Sequence, residues 1–432
     1  MGSKGAYIDV KTSHRMVSVD EALDMVLSTV NVLNRQNKPL LRCLGQALAE
    51  DIIAPMNVPS FDNSAMDGYA VRASDITTAG SGNPIFLRVV GEVSAGQVSE
   101  VKVGPGMAVR IMTGAPLPEG ADTVVPFEYT DEPVREHRQQ AENEIGVFAS
   151  LLPGSNVRRA GEDIRSGEVI IRKGTLLRSA HIGVMASIGR KTVPVIRRPV
   201  VGILATGNEL VAPGLPLPPG KIYNSNSYSL AAQVMECGGI PKLLGIAMDE
   251  VGQLSVAVRT GLGCDLLITS GGVSVGDYDV VKQVLAVEGD VSFWTVRMKP
   301  GKPLAFGIFR GRDGKIVPHL GLPGNPVSSM ITFEVFARPA ILKMMGAANL
   351  FRPRVTAVME DTLLNKDHRR IFARVIVTRR NDRYFVRLTG PQGSGILTSM
   401  MKASGIAVIP ETTERVEPGD EVEVIMLSGD VV

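Results

Sequence analysis

The sequence predicts a multidomain α/β protein: a doubly wound α/β domain, an inserted β-rich domain, a helical segment and a C-terminal β-barrel. Three observations carry the prediction. From Pro199 to Met298, apolar strand-like runs alternate with helix-patterned segments at the spacing of crossover units. From Pro55 to about Glu162, Gly and Pro break the chain into short β-like runs. After about Met345 only alternating β segments remain. A length of 432 residues suits about two to four domains.

The elements follow in order. SVDEALDMVLSTV sets Ser18 and Glu21 at capping-box spacing, and Val19, Leu23, Val26, Leu27 and Val30 form one apolar face. A second helix is expected over Leu40 to Ile53. FLRVVGEV and MAVRIMTG read as strands of the inserted module, and Leu177 to Ile188 reads as helix again. VVGILA is a continuous apolar run, the mark of a strand covered on both faces. NSYSLAAQVMECGG follows as a helix with a glycine stop, then PKLLGIAMD as strand and VGQLSVAVRTGLG as helix. CDLLITSGG (strand), DYDVVKQVLAVEG (helix) and VSFWTVRM (strand) continue the alternation into a doubly wound parallel sheet. Ligands of such sheets lie beyond the carboxyl ends of the strands. RVTAVME, FARVIVTRR, RYFVRLTG, GIAVIP and EVEVIML then suggest a small closed sheet.

Composition removes several classes of function. The net charge of +2 and the absence of like-charge runs argue against nucleic acid or an acidic membrane as the main partner. A single tryptophan, Trp294, argues against a base-stacking platform. Cys43, Cys237 and Cys264 match no zinc or disulfide spacing and read as buried thiols of a reducing cytosol. No signal-peptide core and no membrane-length apolar run is evident, so a cytoplasmic protein is expected. His14, His137, His181, His319 and His368 show no metal spacing, and neither GxxxxGK[ST] nor a GxGxxG after a strand occurs.

Polar, glycine-rich sequence ends strand after strand. VVGILATGNEL delivers Thr206, Gly207, Asn208 and Glu209; LLGIAMDE delivers Asp249 and Glu250. TSGGVSVGDYD supplies Ser270, Gly271, Gly272, Ser274, Asp277 and Asp279. VRMKPGKP supplies Arg297, Lys299 and Lys302, and GLPGNPVSS supplies Pro323, Gly324, Asn325, Pro326 and Ser328. On one rim these loops would combine close-approach glycines, hydroxyls, hard carboxylates and two ammonium groups. That set suits a phosphorylated ligand with Mg²⁺ bridging to the acids. Two further clusters, FDNSAMDGYAV with Asp62, Asn63 and Asp67, and NVRRAGEDI with Arg158, Arg159, Glu162 and Asp163, read from composition alone as surface turns and ion pairs.

FDNSAMDGYAV, RIMTGAPLPEGADTVV, RRAGEDI, ATGNEL, TSGGVSVGDYD, MKPGKPLAFG and GLPGNPVS, in that order, resemble the MoeA family, the molybdopterin molybdenumtransferases related to the gephyrin E domain. The likeness runs from about Val17 to the C-terminus. It implies boundaries at 1–52 and 169–193 for a two-part helical domain, 53–168 for the inserted β-rich domain, 194–350 for a MogA-like molybdopterin-binding α/β domain and 351–432 for the barrel. It implies Mg²⁺-dependent cleavage of adenylylated molybdopterin with insertion of molybdate, giving molybdenum cofactor and AMP. By motif position, Asp249, Asp279 and Glu209 would be the metal-binding acids. Lys299, Lys302, Ser328 and Arg374 would bind molybdate, and charge-assisted donors are what a compact oxyanion needs. An elongated homodimer is implied, with Asp67 and Asp163 of a second subunit completing the site, and a transient encounter with a MogA-like adenylyltransferase. Asn208, where relatives often carry Asp, Thr295, where some carry Lys, and Met248, where Arg is common, depart from the pattern. A peptide-binding scaffold, a tungsten enzyme and a paralogue that binds molybdopterin without turning it over are the competing readings.

Overall fold

Apolar runs of a few residues, each closed by a glycine or a polar turn, fold here as they read. The structure, a computed structural model, describes residues 16–133, 143–248, 250–272, 284–285, 287–311 and 314–427. Its contacts divide into two units, one of residues 51–172 and 179–191 and one of the remaining chain.

In the larger unit, strands β1 (Val200–Thr206), β2 (Ile240–Ala247), β3 (Leu266–Ser270), β4 (Gly289–Val296), β5 (Pro303–Arg310) and β6 (Ile316–Leu322) form one sheet with the short strand Met16–Val17. The order is Met16–Val17, β4, β5, β6, β3, β1, β2. Helices α1 (Asn226–Glu236) and α2 (Val251–Gly261) fill the crossovers and take opposite faces. Leu230 and Val234 of α1 join Ile203, Leu266 and Ile268 in one core, whereas Leu254 and Val258 of α2 join Leu204 and Leu267 in another. The strand period of two thus sorts neighbouring residues to the two layers, as a doubly wound sheet requires. Gly238, at φ +86°, ends α1.

Two expectations need correction. The sheet is not uniformly parallel: β5 runs antiparallel to both β4 and β6. Only residues 297–302 and 311–315 separate these strands, too few for a crossover, so hairpins are the available connection. The helix expected over Leu40 to Ile53 is a single 3₁₀ turn, Leu40–Cys43. Gly45 turns the chain at φ +73°, and Leu48 spends its backbone N–H on Thr175 O at 3.0 Å. Extended pairing thereby overrides helical propensity. The helix over DYDVVKQVLAVEG lies largely outside the described residues.

The N-terminal helix, Val19–Thr29, starts as the capping pattern predicts: the Glu21 amide donates to Ser18 Oγ at 3.1 Å. Its fully buried line is Val19, Ala22 and Val26, with Leu23 and Leu27 beside it. After β6 the chain passes through α3 (Pro326–Thr332), a π-turn at Phe333–Ala337 and α4 (Arg338–Met344). The C-terminal strands β7 (Arg354–Met359), β8 (Arg370–Arg380), β9 (Arg383–Leu388), β10 (Gly405–Ile409) and β11 (Glu421–Met426) close into a barrel in the order β8, β9, β7, β11, β10, β8. The segment Met298–Lys299 pairs parallel to the start of β8, Lys299 opposite Ile371.

The smaller unit is built on a sheet of Thr123–Pro126, Gly68–Val71, Met107–Ile111, Ile85–Val93 and Glu144–Val147, in that order. Tyr69 and Val71 face one core and Ala70 the other. Gly68 can be nothing larger, because a Cβ there would lie 2.0 Å from Val125 O.

Candidate active site

The β1, β3 and β6 ends and the β4–β5 hairpin reach the same rim, and a cleft of about 1380 Å³ opens there. Its lining includes Thr206, Gly207 and Glu209 after β1; Ser270, Gly271 and Gly272 after β3; Lys299 to Pro303 between β4 and β5; and Pro323 to Pro326 with Ser328 after β6. Asp249, Ser274 and Asp279 lie outside the described residues. Among the described residues, no three His, Cys, Asp or Glu side chains are grouped to hold a metal.

Close backbone approach shapes the floor. Gly271, at φ +96°, lies where a Cβ would be 2.6 Å from Thr206 O, so two strand ends touch only because no side chain intervenes. Asn226, in the first turn of α1, ties two loops together: its Nδ2 donates to Ser270 Oγ and to Gly324 O, both at 2.8 Å, and its buried Oδ1 has no partner. The Glu209 carboxylate folds back over Gly207, within 2.6 Å of where a Cβ would stand. Gly301, at φ +103°, carries the Lys299–Lys302 turn across Thr332, whose Oγ1 would sit 2.5 Å from a Cβ.

On β6, beside β3 in the sheet, lies a fully buried histidine. His319 Nε2 is 3.0 Å from Thr269 Oγ1, Nδ1 has no partner, and the Phe309 ring stands edge-on at 5.3 Å. Nε2–H donating to the hydroxyl leaves only a lone pair unmatched at Nδ1. Burial lowers the imidazole pKa to about 3, so it is neutral at physiological pH.

The cationic wall is not uniform. Lys299 Nζ lies 3.0 Å from Asp367 Oδ2, and the same oxygen is bonded by Arg369, which also lines the cleft. Arg369 and then Lys299 pull the Asp367 carboxyl down to about 2. Lys302 has no ion-pair partner among the described residues. Arg374 does not itself line the cleft. It is 1% exposed, its Nε donates to Ser399 Oγ at 3.2 Å, and its Nη2 donates to the carbonyl of Gly393, a lining residue. Burial pulls its guanidinium pKa down to about 10, still leaving it charged.

Asp67 and Asp163 belong to the smaller unit. Asp67 accepts from the Thr113 amide at 2.7 Å and from its hydroxyl at 2.8 Å, which holds its carboxyl below the usual range. Asp163 is exposed, and its amide donates to Val58 O at 3.0 Å. Asp62 accepts from Arg159 Nη1 at 2.6 Å and from the Ala160 amide at 2.8 Å, linking the two polar motifs of this unit. The three cysteines are buried and unpaired, as their spacing indicated.

Sequence reasoning missed Asn226, Tyr223, Arg369 and the run Gln392–Gly395, all of which line the cleft. PQGSG carries the Gly and Pro of a binding loop, but it sits in the barrel segment, away from the strand ends where ligands were sought. Asn226 falls inside a helix pattern and had no signal of its own.

Residues 17–189 match the MoeA N-terminal region (domain I and II), residues 202–343 a probable molybdopterin-binding domain, and residues 356–427 the MoeA C-terminal region (domain IV). Molybdopterin molybdenumtransferase 2 of Mycobacterium tuberculosis is 38% identical over 95% of this chain and 99% of its own. Molybdopterin molybdenumtransferase of Bacillus subtilis is 35% identical over 95% of this chain and 94% of its own. The molybdopterin biosynthesis moeA protein of Pyrococcus horikoshii OT3 superposes with a TM-score of 0.79 at 32% identity, over 95% of this chain and all of that one. The rim of strand ends, the barrel beside it and the inserted β-rich unit are therefore a shared plan, and the chain belongs to the MoeA family.

Proposed function

We propose that the protein is a molybdopterin molybdenumtransferase: it cleaves adenylylated molybdopterin and inserts molybdate, giving molybdenum cofactor and AMP in molybdenum cofactor biosynthesis. The observation that carries this reading is the make-up of the cleft. Hydroxyls and close-approach backbone at Thr206, Ser270–Gly272, 323–326 and Ser328 face a wall bearing Lys299, Lys302 and Arg369. Relatives named for this activity support it at 35–38% identity across the chain. A cleft of about 1380 Å³ exceeds the roughly 300–1,000 Å³ of pockets for drug-sized ligands, in keeping with a pterin dinucleotide.

The loops after β3 and β6 hold the phosphates, and Asn226 keeps those two loops in register. Lys302 and Lys299 receive the molybdate substrate as charge-assisted donors, with Ser328 below them. Arg374 acts on the same wall through Gly393. The donor chemistry also fits a hard divalent cation. Glu209 offers a carboxylate and Thr206 and Ser270 offer hydroxyls, and Mg²⁺ is commonly held by one or two carboxylates together with substrate phosphates. Asp249 and Asp279 are proposed as its further ligands. When bound, Mg²⁺ offsets the negative charge that gathers on the departing phosphate.

We further propose a homodimer in which Asp67 and Asp163 of a second subunit complete the site, fed by a MogA-like adenylyltransferase. The deciding experiment incubates the purified chain with adenylylated molybdopterin, Mg²⁺ and molybdate. AMP should appear together with a cofactor that activates a molybdenum-free apoenzyme. No AMP at saturating substrate overturns the reading. Asp279→Asn should stop cleavage with Trp294 fluorescence unchanged, and co-expressed Asp67→Ala and Asp279→Asn chains should regain activity through mixed dimers.

A further inference from the structure

Lys299, the lysine nearest the barrel, is already engaged. Asp367 stands in the segment 365–369 that leads into β8, with Oδ2 3.0 Å from Lys299 Nζ and bonded to Arg369 as well. This segment is a built feature. Asn365, 1% exposed, donates through Nδ2 to Arg369 O at 2.9 Å and to Pro410 O at 3.3 Å, and accepts from the Arg369 amide at 3.4 Å. Arg369 Nη1 reaches Met298 O at 3.4 Å, and the Met298–Lys299 segment pairs with β8 itself. One carboxylate is thus held against two cleft cations, where an incoming anion would bind.

We propose that Asp367 is an internal counter-anion of the cleft, which an oxyanion must displace from Lys299 and Arg369 in order to bind. The inference rests on the reading of the cleft as an oxyanion site. Like charges cannot share the two cations without repulsion, so ligand entry exchanges one carboxylate for one dianion. Binding to Lys299 is thereby discounted for weakly charged anions. Lys302, which has no ion-pair partner among the described residues, makes first contact, and Lys299 follows once Asp367 turns outward. The exposure of the pair, 47% at Lys299 and 40% at Asp367, gives the carboxylate room to swing into water.

The test is equilibrium binding of molybdate to the full chain by titration calorimetry, for wild type, Asp367→Asn and Asp382→Asn. Asp382, 92% exposed in the β8–β9 turn, serves as the charge-matched control. Loss of the competitor should tighten molybdate binding about two- to fivefold in Asp367→Asn, the scale of an exposed ion pair, and leave Asp382→Asn at the wild-type value. The gain should shrink in a Lys299→Met background. Equal or weaker binding in Asp367→Asn, with wild type binding normally, overturns the proposal and makes Asp367 a support for Lys299. If no folded form binds molybdate, judged by unchanged Trp294 fluorescence, the oxyanion reading itself falls and takes this inference with it.

Discussion

A buried neutral imidazole makes acid stability a direct readout of the layer behind the active site. His319 has a folded-state pKa of about 3, against an ordinary value of 6.5. As pH falls below 6.5 the unfolded chain gains a proton that the folded chain refuses, so stability is lost between pH 6.5 and 3. At pH 5 this one group costs about 2 kcal/mol, from 1.36 kcal/mol per pH unit over about 1.5 units. The perturbation is His319→Gln, which cannot titrate and keeps a polar group near Thr269. Trp294, the only tryptophan, lies in β4 of the same sheet with its ring 5.3 Å from that of Phe306, so its fluorescence reports unfolding of this unit. Urea unfolding at pH 7.5 and pH 5.0 should show a pH-dependent loss about 2 kcal/mol smaller in the variant than in wild type. The rest of the chain is the same in both proteins, so its contribution cancels. Equal losses, or an imidazole NMR signal from His319 titrating near 6.5, would refute the assignment.

Other positions give independent tests. Gly301→Ala places a Cβ 2.5 Å from Thr332 Oγ1 at φ +103°; about 1–3 kcal/mol of strain should move the lysine turn, and AMP release should fall at least tenfold, with Thr332→Ala restoring part of it. Asn226→Ala removes both 2.8 Å ties between the Ser270 and Gly324 loops; at about 0.5–1.5 kcal/mol per hydrogen bond, thermal shift should register a loss of about 1–3 kcal/mol, with activity falling further than stability. Asp265→Ala strands Arg197, whose Nη1 and Nη2 lie 2.6 and 2.7 Å from a carboxylate that is 5% exposed. Because Arg197 is 33% exposed and can be rehydrated, the loss should be about 1.5–3 kcal/mol, the scale of a hydrogen bond to a charged group, in urea unfolding followed at Trp294, and a loss below 1 kcal/mol would show the pair to be dispensable.

The parts of the fold that could be read in the sequence are those where local pattern and tertiary burial agree. VVGILA is apolar at consecutive positions because both faces of β1 are covered, and its neighbours Ile203 and Leu204 do enter different cores. The capping pair Ser18–Glu21 needed only local geometry and forms as written. Leu40 to Ile53 failed because apolar spacing is silent about Gly45 at positive φ and about distant strands that claim the backbone of Ala47 and Leu48. The reversal of β5 was open to detection, since six residues between VSFWTV and PLAFG cannot house a crossover, but apolar content alone does not record direction. At the site, glycines and lysines at strand ends announced themselves. Asn226, Asp367 and His319 did not, because each acts through a hydrogen bond or ion pair to a residue 44 or more positions away.

Reversal of β5 decides more than strand order. With β4 rising to the rim, β5 descending and β6 rising again, two loops, Lys299–Lys302 and Pro323–Pro326, are delivered to the side where β1 and β3 end. Had β5 continued parallel, a covering helix would have separated the two loops. The hairpin instead sets Lys299 just after β4 and paired alongside β8, so the barrel can insert Arg369 and Asp367 beside it. The charge balance of the cleft is therefore set jointly by a sheet that supplies Lys299 and Lys302 and a barrel that supplies both Arg369 and the Asp367 carboxylate. Substitutions in residues 365–369 should accordingly change oxyanion affinity while leaving intact the phosphate binding proposed for the β3 and β6 loops, a separation that changes at Ser270 or Gly324 would not show.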